Sequence, residues 1–147
     1  MEDEPLPVME ENTTPLRILV EKGTKFYKDQ MKISHMSVYP MSLHPRGHAL
    51  IISNQEFDDP QMFPFRKGAQ VDADNMEQLF TQLGFVVVPH KNLKRNETLE
   101  ILIEFKERAG NKPVNMMIVC VLSHGLEHGK IVSSDGLLID TEKDIFR

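Results

Sequence analysis

The pattern that most restricts how this chain can fold is an alternation of short apolar runs with segments of helical period. The runs are HALIISN (48–54), FVVVPH (85–90) and NMMIVCVLSH (115–124). Between the first two, AQVDADNMEQLFTQLG sets Val71, Met76, Leu79, Phe80 and Leu83 at helical spacing and closes on Gly84, a residue suited to a C-cap. Between the second and third, NETLEILIEFKERAG repeats the theme. There Leu99, Leu102 and Ile103 are predicted inward, Asn96 is the predicted N-cap and Gly110 the predicted stop. Strand–helix–strand units of this kind close by right-handed crossovers into parallel sheets. Strands that are apolar throughout belong to a sheet covered on both faces. The expected fold class is therefore α/β, a mainly parallel sheet with helices on both sides.

The flanks read differently. Residues 1–15 are acidic and contain three prolines, which predicts disorder. Leu16–Met31 has the makings of a short helix, weakened by Gly23, and residues 32–47 read as an extended lead-in because each proline biases its predecessor away from helix. We expect an irregular N-terminal segment over 1–45 and a folded domain over 46–147. Past the third strand, KIVSSDGLLID predicts a hairpin turning at Ser-Ser-Asp-Gly, and DTEKDIFR the first turns of a helix capped by Asp140 or Thr141.

Bulk chemistry narrows the function classes. A net charge of −5 and no basic cluster longer than KNLKR argue against nucleic acid. The longest apolar run, MMIVCVL, is too short to span a membrane. The acidic start is unlike a signal peptide, so the N-x-T triplets at Asn12 and Asn96 carry little meaning as glycosylation sites. A single cysteine excludes an internal disulfide and fits a reducing, cytoplasmic setting.

In open parallel sheets, ligands gather beyond the carboxyl ends of the strands. Here that edge comprises the loop after Asn54, the turn after His90 and the segment Ser123-His124-Gly125. The first loop carries Arg66 and the last carries His124, so the architecture puts an arginine and a histidine on one rim. Three readings of His124 stand on the residues alone. With Glu127 and His128 it spells H-x-x-E-H, which on a helix would offer two histidines to a zinc ion, although Gly125 and Gly129 bracket the segment. Alternatively its imidazole serves a thiol nucleophile. Cys120 lies four residues back on the same predicted strand, roughly 13 Å away, so such a thiol would come from elsewhere. In the third reading His124 merely ends a strand and Arg66 is a solvated loop charge.

RGHALIISNQEF, FRKGAQVDADNMEQLFTQLGF and VCVLSHGLEHGKIVSSDG resemble, in order and spacing, the large subunit of the caspases, intracellular cysteine endopeptidases that cut after aspartate. The resemblance runs from about Arg46 to the C-terminus. It implies that His124 is the catalytic histidine and Gly125 an oxyanion-hole donor. It also implies that Arg66 lies at the floor of the aspartate pocket and that the Pro64 carbonyl orients the histidine. No cofactor or metal is implied. The implied partners are a caspase small subunit or another caspase chain, together with protein substrates. The Q-A-C-x-G segment bearing the nucleophile, roughly 50 residues beyond the histidine in that family, is not found in this sequence. The sequence therefore predicts a truncated large-subunit domain, inactive alone, belonging either to an endopeptidase whose other half supplies the cysteine or to a homologue that regulates an active caspase by binding. About 45 residues before Arg46 are also too few and too irregular for a death-fold recruitment domain.

Overall fold

The computed structural model describes residues 14–23, 41–111 and 113–145. Its centre is a parallel sheet of β1 (Gly47–Ser53), β2 (Phe85–Lys91) and β3 (Met116–Leu122), ordered β2-β1-β3. Pairing is in phase along all three strands: Gly47 faces Phe85 and Met116, and Ser53 faces Lys91 and Leu122. The central strand is sealed, with Ala49, Leu50, Ile51 and Ile52 at most 1% exposed. Gly47 opens β1 because nothing larger fits; a Cβ there would lie 1.7 Å from the Met116 carbonyl oxygen.

The strand order dictates where the helices go. From β1 the chain steps to one side to reach β2, then crosses back over β1 to reach β3. Two right-handed crossovers in opposite directions put their helices on opposite faces. Side-chain parity agrees. Ser53 Oγ donates to the Ala69 carbonyl at the start of α1 (Ala69–Gln82), whereas Leu50 and Ile52 pack with Phe105 of α2 (Arg95–Asn111) on the other face. The expected two-sided α/β sheet is thus the observed one.

Helix boundaries follow the sequence in part. Gly84 adopts φ 87° just past α1 and donates its N–H to the Thr81 carbonyl, as its predicted C-cap role requires. α2 departs from expectation at three points. Its first intrahelical bond runs from Thr98 N–H to the Lys94 carbonyl, while Glu97 reaches back to accept from Lys94 N–H, so Asn96 lies inside the first turn and does not cap it. Gly110 does not stop the helix, which runs to Asn111. The inward seam is Thr98, Ile101, Leu102 and Phe105, leaving Ile103 59% exposed. A shift of one residue turns a helical face by about 100°, enough to exchange Ile103 for Phe105.

After β3 come β4 (Gly125–Leu126), β5 (Lys130–Val132) and β6 (Leu138–Asp140), an antiparallel sheet whose second hairpin turns at Ser133–Gly136 as the sequence predicts. Thr141–Ile145 forms one π-helical turn, and the Asp140 carboxylate accepts from Glu142 and Lys143 N–H in the expected capping role. The predicted helix from Leu16 is absent over 16–23. Those residues instead run along α1, where Asn75 accepts from Leu16 N–H and Gln82 bonds both Val20 N–H and the Ile18 carbonyl. The remainder of that predicted helix, most of the predicted disordered segment and much of the extended lead-in lie outside the described residues.

Candidate functional site

Three strand ends meet on one rim. Asn54 N–H donates to the Leu122 carbonyl and Asn92 N–H to the Ser53 carbonyl, which extends the ladder one residue past each strand. Beyond that point the three chains diverge into the loops that carry the candidate groups.

His124 follows β3 after one residue, Ser123. Its carbonyl accepts from Val132 N–H, which ties it to the small antiparallel sheet. Its ring lies 4.8 Å from Phe57 and 5.9 Å from Phe63, centroid to centroid, and both phenyl groups belong to a small core completed by Val132. Nε2 sits 2.7 Å from the Pro64 carbonyl oxygen. A carbonyl can only accept, so Nε2 carries the proton of this bond, and in the neutral tautomer Nδ1 holds the lone pair. The loop 57–65 that delivers this carbonyl is shaped by Asp59, whose carboxylate accepts from Gln61 and Met62 N–H and whose carbonyl accepts from Phe63 N–H. An imidazole held by tilted contacts with two phenyl rings and by one hydrogen bond is oriented, with its other nitrogen free of that bond.

Arg66 follows on the same loop. Its Nη1 donates to the Asn54 carbonyl at 3.1 Å and its N–H to the Gln55 carbonyl at 3.0 Å. Arg66 and His124 both line a cleft of about 510 Å³, together with Phe65, Lys67, Gly68, Ala69 and Asp72. Gly125 is exposed as the first residue of β4, adjoining His124. The structure therefore brings Pro64, His124 and Arg66 together, with Gly125 at the margin. A guanidinium in such a cleft can hold a carboxylate through paired N–H donors.

The rival chemistries fare differently. Residues 124–128 form a strand and a turn, not a helix, and His128 has φ 61° with its side chain almost fully in solvent beside Glu127. The i, i+4 geometry needed for two histidines to share a zinc ion is missing. Cys120 faces Ile51 across the ladder within β3, and burial pushes its thiol above the usual range, the opposite of what a nucleophilic cysteine requires. Sequence reasoning missed Phe57, Phe63, Asn54 and Asn92. The signal for the phenylalanines was a cluster of three aromatic residues, Phe57, Phe63 and Phe65, in a short proline-broken loop. Asn54 left none, since a polar residue at a strand end reads simply as its terminus.

Comparison with known proteins adds an independent line. A family model described as Caspase domain matches residues 46–147. Caspase-2 of Gallus gallus is 32% identical over 119 residues, covering 81% of this chain and 27% of that protein. Caspase-1 of Drosophila melanogaster is 36% identical over 101 residues, 69% of this chain and 30% of that protein. The crystal structure of Caspase-1 from Spodoptera frugiperda superposes with a TM-score of 0.64 at 30% identity, over 71% of this chain and 40% of that one. The chain thus spans less than half the length of these relatives.

Proposed function

Because this chain belongs to the caspase family, we propose that it supplies the imidazole half of a cysteine-endopeptidase site that cuts after aspartate. Residues 46–147 form the working unit. His124 Nδ1 takes the proton from a thiol carried by a segment outside these 147 residues, and the thiolate adds to the scissile carbonyl carbon. The Gly125 N–H donates to the oxyanion as the carbonyl π bond opens. Collapse of that intermediate expels the amine, which receives the proton held on His124, and water then releases the acyl group from sulfur. Arg66 binds the aspartate carboxylate, and the Pro64 carbonyl keeps the imidazole turned so that Nδ1 faces the thiol. Partners are a caspase small subunit or another caspase chain, in a reducing, cytoplasmic setting where the thiol stays free.

The observation that carries this reading is the 2.7 Å contact between His124 Nε2 and the Pro64 carbonyl, made on the cleft that Arg66 also lines. A second reading, regulation of an active caspase by binding, draws on the outer edge of β3, which pairs with no strand among the described residues.

The test is to co-express the chain with a nucleophile-bearing caspase segment and measure cleavage of peptides with aspartate, glutamate or asparagine before the cut. The endopeptidase reading expects aspartate-selective cleavage that His124→Ala lowers by about 100- to 10,000-fold. Arg66→Ala should raise KM for the aspartate peptide far more than for the asparagine peptide. Cleavage indifferent to His124→Ala would sink the reading; a stable complex that stays inactive while altering a partner caspase would favour regulation.

A further inference from the structure

We propose that Asn54 and Asn92 are positioning residues that fix the pose of Arg66; this deepens, and rests on, the reading of Arg66 as the aspartate-binding group. Every polar group of Asn54 is engaged, at 1% exposure. Its N–H donates to the Leu122 carbonyl, its side-chain Oδ1 accepts from Leu93 N–H at 3.0 Å, and its Nδ2 donates to the Val132 carbonyl at 3.3 Å. Its own carbonyl takes the Arg66 guanidinium. One buried residue thus joins the ends of β1 and β3, the loop entering α2, and β5, and offers the resulting fixed carbonyl to the arginine.

Asn92 secures that peptide from its N–H side, and the next one as well. Its φ of 49° lies in the left-handed region that asparagine tolerates better than most side chains. In that conformation its N–H meets the Ser53 carbonyl, and its Oδ1 accepts from both Gln55 N–H, at 2.9 Å, and Glu56 N–H, at 3.2 Å. The Gln55 carbonyl in turn accepts from Arg66 N–H. Arg66 is therefore tied at its main chain and at its tip to two successive carbonyls, each held by an asparagine. With one Nη1 proton bound to Asn54, rotation of the guanidinium about its stem is blocked while other N–H donors remain for a carboxylate. The geometry assigns these asparagines a role in substrate affinity, although neither lines the cleft.

The test uses the chain assembled with its nucleophile-bearing segment and compares kcat and KM on an aspartate peptide. Asn92→Gly keeps the left-handed backbone but removes the double acceptor, whereas Asn92→Asp keeps the acceptor. Asn92→Gly should raise KM about tenfold, the loss expected for two modest hydrogen bonds that hold a binding group. In the same comparison kcat should stay within about twofold, and Asn92→Asp should restore KM to within about twofold. If Arg66→Ala raises KM and Asn92→Gly does not, the positioning role is overturned and the pocket reading survives. Equal increases from Asn92→Gly and Asn92→Asp would also overturn it. If Arg66→Ala leaves KM unchanged, the pocket reading fails and takes this one with it. On the unsubstituted 147-residue chain, the amide protons of Gln55 and Arg66 should exchange slowly with solvent deuterium; rapid exchange at both would overturn the clamp without recourse to any variant.

Discussion

Asp140 shows how much one carboxylate can organise. It pairs with Lys130 across the β5–β6 hairpin, lies within 3.7 Å of Lys143 and caps the π-helical turn through two N–H groups. The hydrogen bond from Lys130, the Lys143 main-chain bond and the two ammonium charges together draw its pKa from 3.8 down to about 2. A group whose pKa falls on folding adds stability above its unfolded pKa and loses it as the pH drops through the folded value. Its contribution is therefore fully present above about pH 4 and disappears toward about pH 2. An asparagine at this position would carry no such dependence. In urea titrations, Asp140→Asn should be less stable than the parent at about pH 5, and the difference should shrink steadily between about pH 4 and about pH 2. A gap independent of pH would refute the assignment.

At the scale of elements, α2 is secured by different means at its face and at its start. Along the face, Phe105 is 5% exposed and meets Leu50 and Ile52 of the central strand, with Ile101 and Leu102 beside it. At the start, the hairpin turn contributes the Asp135 carboxylate, which accepts from Arg95 N–H where the helix dipole is positive. Ser134 N–H donates to the Leu93 carbonyl, and Arg95 Nε bonds the Leu138 carbonyl. The helix that covers one face of the sheet is thereby joined to the hairpin that follows His124. Truncating Phe105 to alanine should cost about 3–5 kcal/mol in chemical denaturation because it opens a cavity against a sealed strand. The same truncation at exposed Ile103 should cost within about 0.5 kcal/mol. Similar losses at both positions would contradict the observed seam.

For the molecule as a whole, the sheet has two unequal rims. On one, β2 contains Pro89, which removes a main-chain donor and discourages further pairing. On the other, β3 presents Met116–Leu122 without proline or charge, and Val119 is 37% exposed there. An apolar strand edge of that kind recruits another strand, and lysine is a usual means of blunting one. The isolated chain should therefore self-associate with rising concentration in sedimentation, and Val119→Lys should lower that tendency while leaving the far-ultraviolet circular dichroism unchanged. A monomer that stays monomeric at all concentrations would refute it. No helix among the described residues is long and apolar enough to cross a membrane.

What the residues determined by themselves was the order of the elements and the rim that carries Arg66 and His124. Hydrophobic period distinguishes a buried strand from a helix within a few residues, and the handedness of crossovers then leaves little freedom of topology. The resemblance carried by FRKGAQVD and LSHG likewise pointed to Arg66 and His124 before any distance was known. Only the tertiary structure decided which side of α2 faces the sheet and that 16–23 lies along α1 without forming a helix. It gave the implied contact of the Pro64 carbonyl with His124 its geometry, and it alone set Asn54 and Asn92 behind Arg66. Those outcomes rest on contacts between residues far apart in the chain, such as the 60-residue separation between Pro64 and His124. Local propensity acts over one or two turns of chain and carries no information at that range.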